Sequence, residues 1–267
     1  MKSENLFIRK CPSCGKEISY ARKSDFNKAE RLQTECKSCA VKKSSIFKKG
    51  HTLNDSVVRK NTLDNLLEQT PQSFYWLGFI LADGSFYNNG KFELGLAEKD
   101  KEVIEEFSKF IDYKNKIMYR KDTKSYRISF ANSISIPKFM EKYDIHYRKT
   151  YNPINFENYK QYDKLLLWSL LIGIIDGDGH ISNNGSSGAF VITITAHKSW
   201  EQFYKDIFEW LDIPEHIKEY SSKTTLTIRI YRKDIIQHMC NIIINNNLFY
   251  LKRKWQQILM RKGPLAS

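Results

Sequence analysis

Two aspartates, Asp83 and Asp178, lie at matching positions within two copies of one segment, FYWLGFILADGSFYNNG and WSLLIGIIDGDGHISNNG, each after an apolar run. Each segment predicts a helix, and we expect the glycine after each aspartate, Gly84 or Gly179, to turn the chain at the helix end. A carboxylate there faces the negative end of the helix dipole, and two such carboxylates side by side repel each other. An oxygen-liganded cation such as Mg²⁺ would relieve this repulsion, so the pattern predicts a divalent-metal site.

Small residues stand four apart in both predicted helices, Gly78 with Ala82 and Gly173 with Gly177. Residues at i and i+4 share one helix face, so each helix carries a groove where another backbone can approach. Glycine inside a helix costs about 1 kcal/mol relative to alanine, so these residues serve a purpose other than helix propensity. We expect the two helices to pack against each other. Packing of each helix on a sheet is the alternative, and it accounts less well for both copies.

Four of the five cysteines form two Cys-x-x-Cys pairs, Cys11 with Cys14 and Cys36 with Cys39. This spacing directs four thiolates at one tetrahedral ion and predicts a structural Zn²⁺ site in a zinc-ribbon-like module. Disulfides or free thiols remain the alternative. Cys240 lies in an apolar run and is most simply a buried thiol.

The 43 Lys+Arg residues outnumber the 30 Asp+Glu residues, which gives a formal net charge of +13 and favours a polyanionic partner such as nucleic acid. A basic protein without such a partner is the alternative that charge alone leaves open. No apolar run approaches the ~20 residues of a membrane span, and the N-terminus lacks the apolar core of a signal peptide. We therefore expect an intracellular protein.

The repeat extends beyond the two motifs and divides the chain into residues 1–60, a zinc module with a basic linker, and two halves, 61–155 and 156–267. Each motif helix is followed by a hairpin with an Asn-Asn-Gly turn, an amphipathic helix, two more strands and a closing helix. The order α-β-β-α-β-β-α predicts an α+β fold made twice. Each half has a four-stranded antiparallel sheet covered by helices on one face, and the halves are joined at the paired motif helices.

The motifs Trp76–Gly84 and Leu171–Gly179 resemble those of the LAGLIDADG homing endonucleases, over residues 61 to about 262. The chain is similar to the single-chain form of that family, a monomer with internal pseudo-two-fold symmetry. Leu81 replaces an acid that Asp176 retains, and we interpret this position as structural. The resemblance implies an enzyme, encoded in an intron or in a free-standing frame, that uses Mg²⁺, with Mn²⁺ or Ca²⁺ able to take its place. Such an enzyme cuts both DNA strands across the minor groove of a long, imperfectly symmetric target.

The resemblance also assigns site residues. It implies metal ligands at Asp83 and Asp178, with the backbone carbonyls of Ala82 and Gly177 as further ligands. By alignment of the halves, the polar position that holds metal-bound water corresponds to Glu98 and His197. The lysine that stabilises charge at the scissile phosphate corresponds to Lys149 and Lys254. A solvated charge or a plain phosphate contact is the alternative for both lysines, and the neighbouring basic residues are Arg148, Lys252 and Arg253.

Alternation along the strands predicts one apolar and one solvent-facing side of each sheet. The apolar side holds Tyr126, Ile128, Phe130, Ile192, Ile194, Leu226, Ile228 and Ile230. A concave polar sheet face can read base edges in a major groove. The residues predicted to contact DNA are Arg127, Ser129, Thr193, Thr195, Thr225, Thr227, Arg229 and Tyr231. An ordinary hydrated sheet face is the alternative without the motifs.

These observations predict a site-specific double-strand DNA endonuclease that hydrolyses phosphodiesters with divalent metal. An RNA-splicing maturase and a non-cutting DNA-binding regulator on the same fold are the alternatives. Both motif acids are retained, which favours the nuclease.

Overall fold

The computed structural model describes residues 7–40, 61–184, 189–214, 217–219 and 224–260. The chain divides into two compact units, Met1–Val58 and Arg59–Ser267, and each is described by itself. Within the described residues, no helix combines the length and the apolar character needed to cross a bilayer.

The smaller unit contains a hairpin of β1 (Phe7–Lys10) and β2 (Glu17–Tyr20), followed by helix α1 (Lys23–Arg31). The first cysteine pair lies in the hairpin turn, and the second lies at the start of a helical segment, residues 37–40. The buried Arg9 joins these parts, because its guanidinium donates to Thr34 Oγ1 at 2.7 Å and to Tyr20 Oη at 3.2 Å. The unit therefore differs from a ribbon of two hairpins, since a helical turn carries its second cysteine pair.

The first α-helix of the larger unit is α2 (Pro71–Asp83), and a capping box of two reciprocal hydrogen bonds closes its N-terminus. The Ser73 N–H donates to Thr70 Oγ1, and the Thr70 N–H donates to Ser73 Oγ at 3.1 Å. Proline at the first helical position adds to this start signal. The remaining elements are β3 (Gly84–Tyr87), β4 (Lys91–Ala97), α3 (Lys101–Phe110), β5 (Met118–Arg120), β6 (Ser125–Ala131) and α4 (Ser135–Lys142).

The second half repeats this order and adds one helix. Its elements are α5 (Lys164–Asp178), β7 (Gly179–Asn184), β8 (Ala189–His197), α6 (Glu201–Trp210), β9 (Ile217–Glu219), β10 (Thr225–Ile230), α7 (Lys233–Asn245) and α8 (Lys252–Met260). The basic patch LKRKW thus enters α8, whereas the corresponding first-half patch, residues 147–150, forms turns.

Each half has one four-stranded antiparallel sheet, in the order β3-β4-β6-β5 or β7-β8-β10-β9. Inward-facing residues such as Ile128, Ile194 and Ile228 are fully buried beneath the helices. The predicted fold class is confirmed. One predicted turn is misplaced, because Asn183 and Asn184 continue β7 opposite Phe190 and Ala189, and residues 185–188 lie outside the described part of the chain.

The two motif helices, α2 and α5, pack directly against each other. A Cβ atom on Gly78 would lie 1.9 Å from the Leu170 carbonyl oxygen, and one on Gly173 would lie 1.9 Å from the Tyr75 carbonyl oxygen. Both helices are apolar on all sides and largely buried, as expected for elements inside one continuous hydrophobic core that spans both halves. The predicted joining of the halves at these helices is confirmed.

Candidate active site

The C-terminal ends of α2 and α5 meet at the two motif aspartates. A Cβ atom on Gly177 would lie 2.3 Å from Ala82 Cβ and 3.2 Å from Asp83 Oδ2, so Asp83 lies against the end of the opposite helix. Gly84 and Gly179 begin the following strands with φ of −73° and −90°. The chain passes from helix to strand at these glycines, as predicted, with both of them in extended backbone. Close approach explains them, because a Cβ there would meet the carbonyl oxygen of Ile80 at 2.7 Å or of Ile175 at 2.5 Å.

Both aspartates have raised pKa values. Burial is the main cause at Asp83, the charge of Asp178 adds to it, and together they raise the pKa of Asp83 to about 6. Desolvation also raises the pKa of Asp178, although its side chain is the more exposed of the two. Lys254 is the cation that most lowers the pKa of Asp83, and Lys149 has that role for Asp178. Both lysines therefore lower the pKa of both aspartates, and the larger effect at each aspartate comes from the lysine of the other half.

The two lysines bind the carbonyl oxygens that end the motif helix of their own half. Lys149 Nζ donates to the carbonyl oxygens of Leu81 and, at 2.8 Å, Ala82. Lys254 Nζ donates to those of Ile175 at 2.9 Å, Asp176 at 2.6 Å and Gly177 at 3.3 Å. The last carbonyls of a helix have no partner within it, and a cation there also complements the helix dipole. Burial lowers the pKa of each lysine, and the nearby aspartates oppose that effect.

Two cavities flank the helix ends in corresponding positions of the two halves. One, of about 60 Å³, is lined by Asp178 together with Ala82, Lys149, His197 and Trp200. The other, of about 250 Å³, is lined by Asp83 together with Gly177, Ala97, Asp100 and Arg253. Each cavity thus combines the aspartate of one half with the motif-helix end of the other. The structure therefore contains two related sites.

The predicted equivalence of Glu98 and His197 is wrong by one residue. Ala97 pairs with Ser125 and His197 pairs with Thr225 at the same point of the two sheets, so His197 corresponds to Ala97. His197 lines the Asp178 cavity, and its Nδ1 atom accepts from the Ser199 N–H at 3.2 Å. Glu98 is not among the residues that line the Asp83 cavity. The different lengths of the two hairpins account for the shift.

Asp176, the acid that Leu81 replaces in the first half, has a structural environment. It is buried and accepts from Tyr75 Oη and the Leu251 N–H, both at 2.8 Å, and from Trp255 Nε1 at 2.7 Å. These bonds connect the first half's motif helix with the segment that carries Lys254. This geometry agrees with the structural interpretation of that position.

The donor atoms at the helix ends suit a hard divalent cation. They are two carboxylates and the carbonyl oxygens of Ala82 and Gly177, which keep a free lone pair beside their lysine bonds. Elsewhere in the described ranges, only the cysteine cluster brings three or more His, Cys, Asp or Glu ligand atoms together. A metal at the helix ends would therefore complete its coordination with water and substrate oxygens, as Mg²⁺ does.

The outward sheet faces differ between the halves. In the first half, Arg127 Nη1 lies 2.5 Å from Glu93 Oε1, and the guanidinium lies over Gly95, whose missing side chain leaves that space. Glu93 also pairs with Lys91 at 3.1 Å. The predicted DNA-contact residues Ser129, Thr193 and Thr225 are partly exposed, whereas Thr195, Arg229 and Tyr231 are exposed.

One of the predicted contact residues, Thr227, departs from the expected exposure. Its register opposite Thr195 places it on the outward face, yet only 8% of its surface is accessible. Thr227 occupies the position that Arg127 has in the first half. Thr227 lies opposite Thr195 and Arg127 lies opposite Gly95, at the same point of the two sheets. The two faces therefore offer different groups at matching positions.

The smaller unit brings Cys11, Cys14, Cys36 and Cys39 together, with all four sulfurs within 4.8 Å of one another. Zn–S bonds of about 2.3 Å would place tetrahedral sulfurs about 3.8 Å apart, close to this spacing. A hydrogen bond from Ser38 lowers the pKa of Cys36 to about 6, and the Cys36 N–H lowers the pKa of Cys11. The expected four-cysteine cluster is confirmed, and its sulfurs fit a Zn²⁺ ion.

Two residues that line the cavities, Asp100 and Trp200, are not predicted by the sequence. Each immediately precedes an amphipathic helix, α3 or α6, and neither belongs to a repeated motif. Each of these residues contacts the basic segment of the other half, and such contacts are visible only in the tertiary structure. Spacing along the chain therefore contained no signal for them.

Comparison with solved structures identifies the fold. The I-LtrWI LAGLIDADG homing endonuclease bound to target DNA superposes with a TM-score of 0.52 at 17% identity, covering 76% of this chain and 92% of that one. I-SmaMI bound to cleaved DNA gives a TM-score of 0.49 at 17% identity, covering 75% and 90%. Its complex with uncleaved DNA and calcium ions gives 0.49 at 16% identity, covering 72% and 91%.

Neither a family model nor a curated protein sequence matches the chain. The likeness is therefore one of structure, and with I-LtrWI it covers about three quarters of this chain, 76%. The chain has the LAGLIDADG homing endonuclease fold, with both half-domains on a single polypeptide.

Proposed function

We propose that this protein is a site-specific endonuclease that cuts both strands of double-stranded DNA with divalent metal ions. The observation that carries the proposal is the meeting of Asp83 and Asp178 at adjoining helix ends, each beside a lysine of the other half. The raised pKa values mean that the ionised forms of both aspartates are destabilised in the free protein, and bound cations would offset that destabilisation. I-LtrWI, which shares the fold, is bound to its target DNA.

The two cavities support one cutting site for each DNA strand. Asp83 with Gly177 and Asp178 with Ala82 form two related oxygen-rich sites, so one site per strand is the simplest assignment. When bound there, Mg²⁺ would polarise a phosphate oxygen and lower the pKa of an attacking water. Asp83 and Asp178 would hold the metal, and the carbonyl oxygens of Ala82 and Gly177 would complete the protein's share of the ligands.

The protein's own residues supply position and charge. Lys149 and Lys254 hold the helix ends rigid through their carbonyl bonds and place a positive charge beside the aspartates. That charge would stabilise the negative charge that develops on the scissile phosphate. His197, in the Asp178 cavity, would position water through its Nε2 atom, because its Nδ1 atom is engaged by Ser199.

The outward sheet faces would bind the duplex. Arg127, held by Glu93, and the exposed Arg229 are the guanidinium groups for base edges, and Thr193 opposite Arg229 offers a hydroxyl. The net charge of +13 would supply the sequence-independent attraction to phosphates. The cysteine unit would hold Zn²⁺ for its own folding and extend the DNA contact.

Sequencing the products of a randomised duplex library, cut by the full chain in Mg²⁺, tests the proposal. We expect paired cuts on both strands at one long, imperfectly symmetric site, and no cutting with a chelator present. Asp83→Asn and Asp178→Asn should each abolish double-strand cutting while keeping DNA binding within about threefold, because the carboxylates serve the metal more than the fold.

Asp163→Asn is the matched control, since it removes the same charge from the opposite end of α5. This variant should cut normally. Normal cutting by both Asp83→Asn and Asp178→Asn would mean that the assigned active site is wrong. Tight, selective binding by the parent protein without any cutting would indicate a non-cutting regulator instead.

A further inference from the structure

The two cavities differ in the residue and the contact found at one matching position. Asp100 and Trp200 occupy the N-cap positions of the corresponding helices α3 and α6, and neither side chain caps its own helix. Each reaches the basic segment of the other half instead. Trp200 Nε1 donates to the Lys149 carbonyl oxygen at 3.0 Å, whereas the Asp100 carboxylate binds the Arg253 guanidinium. The Asp83 cavity therefore contains an ion pair where the Asp178 cavity contains a neutral bond.

The ion pair has the geometry of a strong, directional contact. Arg253 Nε donates to Asp100 Oδ1 at 2.7 Å and Arg253 Nη2 donates to Oδ2 at 3.0 Å, so both carboxylate oxygens are used. The Asp100 side chain is 11% exposed and the Arg253 side chain 44%. Aspartate is a favoured N-cap residue, so its use for this pair instead of the cap indicates a specific role.

Arg253 lines the same cavity as Asp83, yet its guanidinium is bound to Asp100. Asp83 and Asp176 also line that cavity, and the Asp176 carboxylate is already bound by Tyr75, Leu251 and Trp255, so an arginine released there would meet the Asp83 carboxylate. Such a pair would occupy the carboxylate that the proposed metal requires. We propose that Asp100 positions Arg253 against the cavity wall and so keeps Asp83 available, a positioning role confined to one of the two sites. The inference rests on the proposed function.

The fold allows the pair to be removed without displacing Lys254. Leu251 and Trp255, on either side of Arg253, both donate to Asp176, and Lys254 itself binds three carbonyl oxygens. The start of α8 is therefore anchored independently of Arg253. Loss of the Arg253 side chain alone should leave the site assembled.

The test is the rate of cutting of each strand of a target duplex labelled on both strands. Asp100→Asn should slow one strand by at least about tenfold, a factor within the range of close charge-pair couplings, and leave the other strand near the parent rate. The slowed strand should be the one that Lys254→Met also slows. Calorimetric titration of the free protein with Mg²⁺ should also show weaker binding by Asp100→Asn than by the parent, and the double variant Asp100→Asn/Arg253→Met should regain most of the lost affinity and rate.

Glu102→Gln is the matched control, because it breaks the neighbouring exposed pair of Glu102 with Lys252, which lies 2.5 Å away. This control should cut both strands normally. Equal slowing of both strands by Asp100→Asn, an unchanged rate, or no recovery in the double variant would overturn the inference. A parent protein that cuts no DNA would instead overturn the proposed function, so the two failures are distinguishable.

Discussion

Gly78 and Gly173 occupy corresponding positions on the two motif helices, and each admits a backbone carbonyl of the opposite helix to within van der Waals contact. The oxygen atoms of Leu170 and Tyr75 take the space in which the two Cβ atoms would lie. Backbone cannot move aside as a flexible side chain can, so no rotamer change relieves a methyl group placed there. The pairing of the halves therefore depends on these two glycines.

We predict that Gly78→Ala destabilises the larger unit by at least about 3 kcal/mol, because the helices must separate to admit the methyl group. Urea unfolding of the parent and the variant measures this change. Gly95→Ala is the control, since its nearest contact would be Arg127 Nε at an ordinary 3.7 Å, and its effect should stay within about 1 kcal/mol. Equal stability of Gly78→Ala and the parent would show that the helices do not pack this closely.

The raised pKa of Asp83 predicts that the free energy of unfolding of the metal-free protein depends on pH. Its folded pKa of about 6 exceeds the value of about 3.9 in unfolded chains, so the folded state binds more protons between these values. Stability therefore falls as the pH rises through this interval, and the loss is fully present above pH 6. With chelator present, Asp83→Asn should be more stable than the parent at pH 7.5 by about 1 to 2 kcal/mol, allowing for partial solvent screening.

This gain should be nearly lost by pH 4, where the aspartate is protonated in the folded state and about half protonated in the unfolded state. Adding Mg²⁺ at pH 7.5 should raise the melting temperature of the parent more than that of the variant, since only the parent keeps both carboxylates. Thermal unfolding of both proteins between pH 4 and 8 measures these differences. A stability difference that does not change with pH would contradict the assigned titration.

Arg127 is predicted to read one base pair of the target. Its guanidinium is held in place by Glu93 over Gly95, so little conformational freedom remains to be lost on binding. Arg127→Ala should cost about 1 to 3 kcal/mol of DNA affinity and relax the base preference at one position, as bidentate arginine contacts to guanine do. Binding to a library varied one position at a time measures this. A loss that is uniform over all sequences would show a phosphate contact instead.

The cysteine unit should depend on Zn²⁺, because a domain of this size buries too little core to fold alone. Protein purified under reducing conditions should contain one zinc ion per chain. A fragment that begins near Asn61 should keep metal-dependent cutting but bind the target less tightly or less selectively, and Cys36→Ser should reproduce this loss. Elemental analysis and binding of both proteins to a cleavable site measure these effects.

Two outcomes would contradict this prediction separately. Absence of zinc from the purified chain would remove the metal assignment of the four cysteines. Equal affinity and selectivity of the fragment and the full chain would leave the cysteine cluster intact and remove its proposed role in DNA binding.

Local alignment of the two halves located some site residues and misplaced others. The motif aspartates and the lysines were predictable, because the helix repeat fixes the aspartates and each lysine lies in a basic patch. Spacing along the sequence pairs Glu98 with His197, because it does not fix where the length difference between the two hairpins falls. The sheet pairings place His197 opposite Thr225, which makes Ala97 its counterpart and leaves Glu98 off the cavity.

The sequence by itself determined the duplicated α+β fold, the close helix pair and the four-cysteine cluster, because periodicity, small residues and cysteine spacing are local patterns with direct structural consequences. Only the tertiary structure decided which residues face each other across the halves. Three such contacts join residues far apart in the chain. They are the electrostatic interaction of Lys254 with Asp83, the Asp100–Arg253 ion pair and the hydrogen bond from the Leu251 N–H to the buried Asp176. Such pairings follow from how two cores are placed against one another, and no local pattern specifies that placement.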